Sequence, residues 1–295
     1  MLKGHILAFF SVFIWSSLYI QTSFLLEILN PFTLFVLQCC VGYLFLLIIY
    51  PKFCKFLRLK EELLFLLASL LGVVFYNLFL NLSMELSSPS NVSIIITTAP
   101  LWTCICAFAL RMERPYLLFF IGFCISIFGV VLLNIESFFS FNLKGDVLAL
   151  LSSISWGLYA ILIAKLLHYD VVFCVRKILF YGLLLIVPLS FMFDFDIAFY
   201  TKLDFINFIN LLFVGIFSTG ICFVFWFYAT KLVGAVSANI YVYLTPVITI
   251  LVAFFVLGDT LSVSQIFGVV LVLIGVFVSE SRLHNKKIKD LMKKV

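Results

Sequence analysis

Charge is scarce in this sequence, and its placement is informative. Only 11% of the residues are Asp, Glu, Lys or Arg, against about 25% in a soluble domain. None stands near the middle of a long apolar run; Glu85, Glu113, Glu136, Lys165, Lys231 and Asp259 all fall at run ends. This argues against a proton relay through a midplane carboxylate. Catalytic constellations are missing as well. H-E-x-x-H and G-x-S-x-G do not occur, His5, His168 and His284 lie at or beyond run ends, and Asp259 has no second midplane aspartate to form a dyad. An enzyme would lack its groups. The eight cysteines make no C-x-x-C pair and no metal-ligand spacing, so packing is their expected role, and neither metal nor cofactor is implied.

Apolar residues make up the rest. The chain is 65% hydrophobic with mean hydropathy +1.26, far from the roughly 45–50% apolar content of a soluble domain. Runs of about 20 apolar residues cross the hydrocarbon core as helices. Ten such runs are read, at 5–26, 31–50, 63–84, 91–110, 116–135, 146–166, 173–192, 206–229, 236–257 and 264–280. The fold class is therefore an all-α integral membrane protein of ten transmembrane helices. The first run is longer than the 7–15 residues of a secretory signal and no small-x-small cleavage site follows it.

Basic residues alternate between the two sides of this plan. Lys3, Lys52, Lys55, Arg58, Lys60, Arg111, Arg114, Lys165, Arg176, Lys177, Lys231 and the cluster after Glu280 share one side, leaving only Lys144 and Lys202 of the 19 opposite. The positive-inside rule then predicts that both termini face the cytoplasm. The net charge of +5 thus reflects topology and not nucleic-acid binding, and the basic tail is read as an anchor near anionic membrane lipid.

An internal repeat organises the chain. Leu86, Val92, Pro100, Ala107, Phe108, Glu113, Gly122 and Gly129 return as Leu232, Ala238, Pro246, Ala253, Phe254, Asp259, Gly268 and Gly275, all at an offset of 146. Gly4, Leu7, Ala8, Ser11 and Trp15 return as Gly145, Leu148, Ala149, Ser152 and Trp156 at an offset of 141. Five spans per repeat is an odd number, so the second copy enters the membrane in the opposite sense. Inverted repeats of this kind place a binding site near the midplane and exchange its access by rocking.

These features together resemble the EamA family of the drug/metabolite transporter superfamily: ten spans in two inverted halves, Trp15-Ser16 and Trp156-Gly157 in the first span of each half, Pro100 and Pro246 in the fourth, Glu113 and Asp259 after it, and the glycine pairs in the last. The chain departs from the family pattern at Asp259, where Glu is usual, and at Met112, where Gly often precedes the acid. The resemblance implies a first EamA repeat over 1–140, an inverted second over 141–281 and a basic cytoplasmic tail over 282–295. It also implies a bacterial inner-membrane carrier, typically an exporter of amino acids or related metabolites, as a monomer or homodimer. A flippase for lipid-linked substrates, or a channel-like carrier of the same fold, is the alternative. From the resemblance, spans 1, 3, 4, 6, 8 and 9 are expected to enclose the cavity and spans 5 and 10 to brace it.

Candidate cavity residues follow from polarity at depth. Pro100 and Pro246 cannot donate a backbone hydrogen bond, freeing the carbonyls of Ile96 and Val242, and such groups are tolerated where neighbours or a cavity satisfy them. The breaks are read as lining the cavity, with Thr97, Thr98, Tyr243 and Thr245 beside them; a packing kink is the competing reading. Trp15 and Trp156 lie deep in their spans, away from an interface belt. Asn77 and Asn81 sit four residues apart in span three, either in the cavity or as interhelical glue. The expected cavity set is Trp15, Asn77, Asn81, Thr97, Trp156, Tyr241, Tyr243 and Thr245, with Pro100 and Pro246 as helix breaks. An uncharged, aromatic and hydroxylated cavity suits a neutral or zwitterionic substrate.

Overall fold

The computed structural model describes residues 2–52, 55–112, 117–133, 142–257 and 262–292, and every regular element among them is helical. Ten helices follow the ten expected runs: α1 Leu2–Leu26, α2 Pro31–Ile49, α3 Leu59–Leu86, α4 Pro89–Ile96 with Ala99–Ala109, α5 Leu117–Leu133, α6 Leu143–Leu166, α7 Val171–Leu189, α8 Phe205–Val233, α9 Ala235–Ile240 with Tyr241–Leu244 and Thr245–Leu257, and α10 Val263–Met292. Eight are long and apolar enough to cross a membrane, while α5 and the apolar part of α10, Val263–Ser279, are shorter. α10 runs on beyond that part without a break, 30 residues in all, so the expected tail starts inside it. One further short helix, Phe199–Lys202, follows α7.

The helix starts are marked chemically. Asn30, Ser88, Asn142, Asp170 and Asp204 each accept a backbone N–H of the first turn, and Pro31 and Pro89 open α2 and α4. These contacts satisfy donors that the helix itself leaves without partners. Between α8 and α9 the chain turns at one residue, Gly234, with φ of 97°, a conformation open to glycine at little cost.

Partners are exchanged between the halves. α1 packs on α8, and α6 packs on α3 and α4. α3 and α8 each contain a widened π-helical stretch, Leu70–Phe75 and Phe213–Ile221, where the regular backbone ladder is disturbed. At the exit of each, a serine from the other half supplies a hydrogen bond: Ser152 donates to Tyr76 O at 2.9 Å and Ser11 to Cys222 O at 3.4 Å. The donors are 141 residues apart and the acceptors 146, the two offsets of the repeat.

α5 and α10 form the tightest pair. A Cβ on Gly122 would stand 2.5 Å from Gly275 O, and one on Gly268 would stand 2.7 Å from Gly129 O, so both glycine pairs bring backbones into direct contact, as small residues do in membranes.

Two connections strap onto the opposite half. The segment after α2 is held to α7 by Arg176, which donates to Tyr50 O, and by Lys177, which reaches Lys55 O at 2.7 Å and pairs with Glu62 at 2.6 Å. Tyr181 donates to the other Glu62 oxygen, and Phe65 and Phe173 flank the ammonium at 5.3 and 5.4 Å. Arg176 and Lys177 were counted in the sequence as markers of one membrane side. They lie in the first turns of α7, each 3% exposed, in a buried ionic cluster. At the other end of the molecule the segment after α7 is held to α2 by neutral bonds, Asn30 Nδ2 to Asp194 O at 3.1 Å and Asp196 N to Thr33 Oγ1 at 2.8 Å. Within that segment the Lys202 ammonium bonded to Asp196 holds its carboxyl below the usual range.

Candidate substrate site

The two proline helices break as their sequences require, and each resolves its freed carbonyl differently. In α4, Thr97 and Thr98 form a turn between Ile96 and Ala99, and Ser153 Oγ of α6 stands 3.5 Å from Ile96 O. In α9 the chain tightens into the 3₁₀ turn Tyr241–Leu244, and Thr245 N–H reaches Val242 O. A neighbouring helix serves the first break and the helix's own backbone the second.

A small cavity lies between the breaks. About 20 Å³ of it is open to the centre of a water-sized sphere, room for roughly one water. Ile96 and Val242 face it, repeat-equivalent residues whose carbonyls the prolines free. Val12, Trp15, Leu18 and Tyr19 of α1 close one side, with Tyr76 of α3, Trp156 of α6 and Thr245 of α9 opposite. The indoles of Trp15 and Trp156 meet edge to face, with centroids 5.1 Å apart at 88°, a favourable aromatic arrangement. Tyr76 lies 4.8 Å from Trp156, and α8 backs Trp15 with Phe223 and Trp226 at 5.7 and 5.2 Å. Five of the six expected helices line the cavity and the sixth, α8, stands behind it.

Polar capacity at the cavity is divided. The indole N–H groups are committed, Trp15 to Ser218 O at 3.1 Å and Trp156 to Asn239 Oδ1 at 3.0 Å. The hydroxyls of Tyr19, Tyr76 and Thr245 have no hydrogen-bond partner among the described residues. Among the described residues, no ionisable side chain other than tyrosine lines the cavity.

The other expected residues lie elsewhere. Asn77 accepts from Gln38 at 3.0 Å and donates to Val73 O, and Asn81 donates to Pro31 O at 3.3 Å, so both join α3 to α2. Thr97 donates back to Ile94 O. Tyr241 meets His5 Nδ1 at 3.0 Å, and Tyr243 packs on Phe123 at 6.1 Å with no partner for its hydroxyl among the described residues. Pro100 and Pro246 each follow their break by a few residues. Sequence reasoning missed Val12, Leu18, Tyr19, Tyr76, Ile96 and Val242 as wall residues; the break-point carbonyls that it did identify belong to the last two, Ile96 and Val242. Glu113, Gly258 and Asp259 lie outside the described residues, as does Cys54.

Contacts close both ends of the bundle around the cavity. At one end Asp146, in the first turn of α6, accepts from Ser87 and Asn91 at 3.1 and 3.0 Å. At the other, His5 of α1 meets Tyr241 of α9. His5 and Asp146 are repeat-equivalent, 141 residues apart.

Two stretches of the chain, residues 2–135 and 143–280, match the EamA-like transporter family. The chain belongs to the EamA-like transporter family. It is thus a membrane transporter of the drug/metabolite transporter superfamily and not an enzyme, with ten helices in two inverted five-helix repeats. Among its EamA-like relatives, an "Uncharacterized transporter" of Archaeoglobus fulgidus is 25% identical over 96% of this chain and 99% of its own. One of Clostridium kluyveri is 24% identical over 99% and 97%, and the "Uncharacterized transporter YoaV" of Bacillus subtilis 24% over 76% and 77%. A solved crystal structure superposes with a TM-score of 0.76 at 17% identity, covering 94% of this chain and 96% of its own, a likeness of fold.

Proposed function

We propose that this EamA-like transporter moves amino acids or closely related small metabolites across the bacterial cytoplasmic membrane, as an exporter, by exposing the central cavity alternately to the two sides. The observation that carries the reading is the cavity's chemistry: aromatic rings, three hydroxyls without partners among the described residues and no charged side chain among those that line it, set between two broken helices. A zwitterion or neutral polar molecule with an apolar body offers groups for those hydroxyls and a surface for the rings, and its ammonium group suits their faces. The absence of a carboxylate at the cavity favours facilitated exchange over proton coupling.

In this reading the halves are residues 1–140 and 141–281, both termini face the cytoplasm, and residues 282–295 are a basic cytoplasmic tail. Opening to the outside separates Asp146 from Ser87 and Asn91, and opening to the cytoplasm separates His5 from Tyr241. Inverted repeats allow these events to alternate.

The test is uptake and efflux of a panel of radiolabelled amino acids in liposomes holding the pure protein, with and without a pH gradient. Saturable flux of one class, indifferent to the gradient and weakened by Tyr76→Phe and Thr245→Val, is the expected result. Gradient-driven flux refutes facilitated exchange, and no flux of any amino acid refutes the substrate class, leaving a lipid-linked substrate as the reading to pursue.

A further inference from the structure

The two indoles at the cavity are held by different kinds of acceptor. Trp15 bonds to a backbone carbonyl, Ser218 O, inside the widened stretch of α8. Trp156 bonds to a side chain, Asn239 Oδ1, at 3.0 Å. Asn239 is fully buried, and its Nδ2 donates to Ala235 O one turn earlier at 2.9 Å. With the amide nitrogen engaged there, the oxygen is the atom that faces the indole N–H. Asn239 is therefore fastened to the Ala235–Ile240 segment, which ends directly at the 3₁₀ turn of the break. Its equivalent in the first half is Ser93, at the offset of 146, so this amide occurs on one side only.

We propose that Asn239 is a positioning residue for transport: it fixes the Trp156 ring as a wall of the cavity and couples that wall to the segment of α9 that precedes the break. The proposal rests on the reading that the cavity is the substrate site. A shift of the Ala235–Ile240 segment carries the amide with it. Either the indole follows, reshaping the cavity, or a buried oxygen and a buried N–H lose their partners, which a low-dielectric interior disfavours. Wall and helix break thus move as one unit. Without the amide, the ring is held by packing alone, against Trp15, Tyr76, Tyr159 and Phe223.

The experiment has an optical arm and a flux arm. In the first, Trp15, Trp102 and Trp226 are replaced by Phe, so that Trp156 is the sole indole emitter in nanodisc-held protein. Asn239→Leu should then lower its fluorescence anisotropy and shift its emission maximum, while Asn239→Asp, whose neutral acid offers the same acceptor and donor, stays near the parent. In the second, the radiolabelled amino acid of highest flux in the panel is the probe, with all four tryptophans otherwise present. Asn239→Leu should raise KM at least fivefold with Vmax changed less than twofold, Trp156→Phe should raise it too, and the double variant should be no worse than Trp156→Phe alone.

Unchanged emission in Asn239→Leu overturns the positioning role whatever the flux. Additive effects in the double variant overturn action through the indole. Changed emission with unchanged KM overturns the cavity as substrate site, and with it the coupling to transport. If Asn239→Leu does not reach the membrane, Trp156→Phe decides: it removes the donor with Asn239 in place, and an unchanged KM refutes the proposal.

Discussion

Replacing Gly72 by alanine tests the packing behind the cavity most severely. Gly72 lies in the widened stretch of α3, where the Tyr159 ring of α6 rests against it. An added Cβ would stand 2.2, 2.4 and 2.6 Å from Tyr159 Cδ2, Cγ and Cε2. Carbon atoms settle at about 3.5–4.0 Å, so the ring must retreat by more than an ångström. It has little space to do so, being fully buried with Trp156 at 5.2 Å and Phe223 at 6.1 Å. Overpacking of a core costs about 1–3 kcal/mol. A rigid ring that is blocked behind puts Gly72→Ala near the upper end, about 3 kcal/mol or roughly a hundredfold in the folding equilibrium. Gly220→Ala is the control, because the tightest approach of its Cβ would be to Phe45 Cδ1, at 3.0 Å, with Phe45 Cε1 and Gly215 O at ordinary contact distances of 3.5 and 3.6 Å, and that ring is partly exposed; its cost should stay below about 1 kcal/mol. Both are read from unfolding in mixed micelles titrated with sodium dodecyl sulfate, followed by circular dichroism. A Gly72→Ala protein within about 0.5 kcal/mol of the parent, or no worse than Gly220→Ala, would refute the packing argument.

Other substitutions probe separate features. Thr249 donates to Ser16 O at 3.2 Å and Thr103 to Gly157 O at 3.5 Å, equivalent bonds between the halves; Thr249→Val should cost about 0.6–1.7 kcal/mol in the same titration, and Thr103→Val less. Breaking the buried pair with Lys177→Met alone should cost about 3–5 kcal/mol, whereas Lys177→Met with Glu62→Leu should be milder; a double variant worse than the single contradicts the desolvation argument. Pro100→Ala restores a donor for Ile96 O, so α4 should straighten and gain stability while flux falls; unchanged flux would make the break a mere packing kink.

What could be read beforehand and what could not divide along one physical line. Span count, inverted repeat and helix breaks were legible because they depend on length, charge bias and proline, which act through the backbone or the bilayer. The face that each helix turns inward was not. A helix apolar all round carries little rotational signal, so Asn77 and its neighbour Tyr76 could not be ranked, yet Tyr76 reaches the cavity while Asn77 binds Gln38 on α2. The widened stretches of α3 and α8 shift that phase further, since each adds backbone without changing composition. Burial of Arg176 and Lys177 was illegible for another reason: basic residues near a span end read as solvated until the acid that holds them, Glu62, is placed from another helix.

The bonds exchanged between halves bear on how the molecule can be assembled. Ser152 and Thr249 find their acceptors in the opposite half, and Ser11 and Thr103 reach a carbonyl there as well as one in their own helix, so neither half holds the full set of its own hydrogen bonds. Two polypeptides, one per half and inserted in opposite senses, would carry every one of these contacts without being joined. The covalent link between them supplies stoichiometry and orientation, and the shape of the interface is already written in each half's own surface.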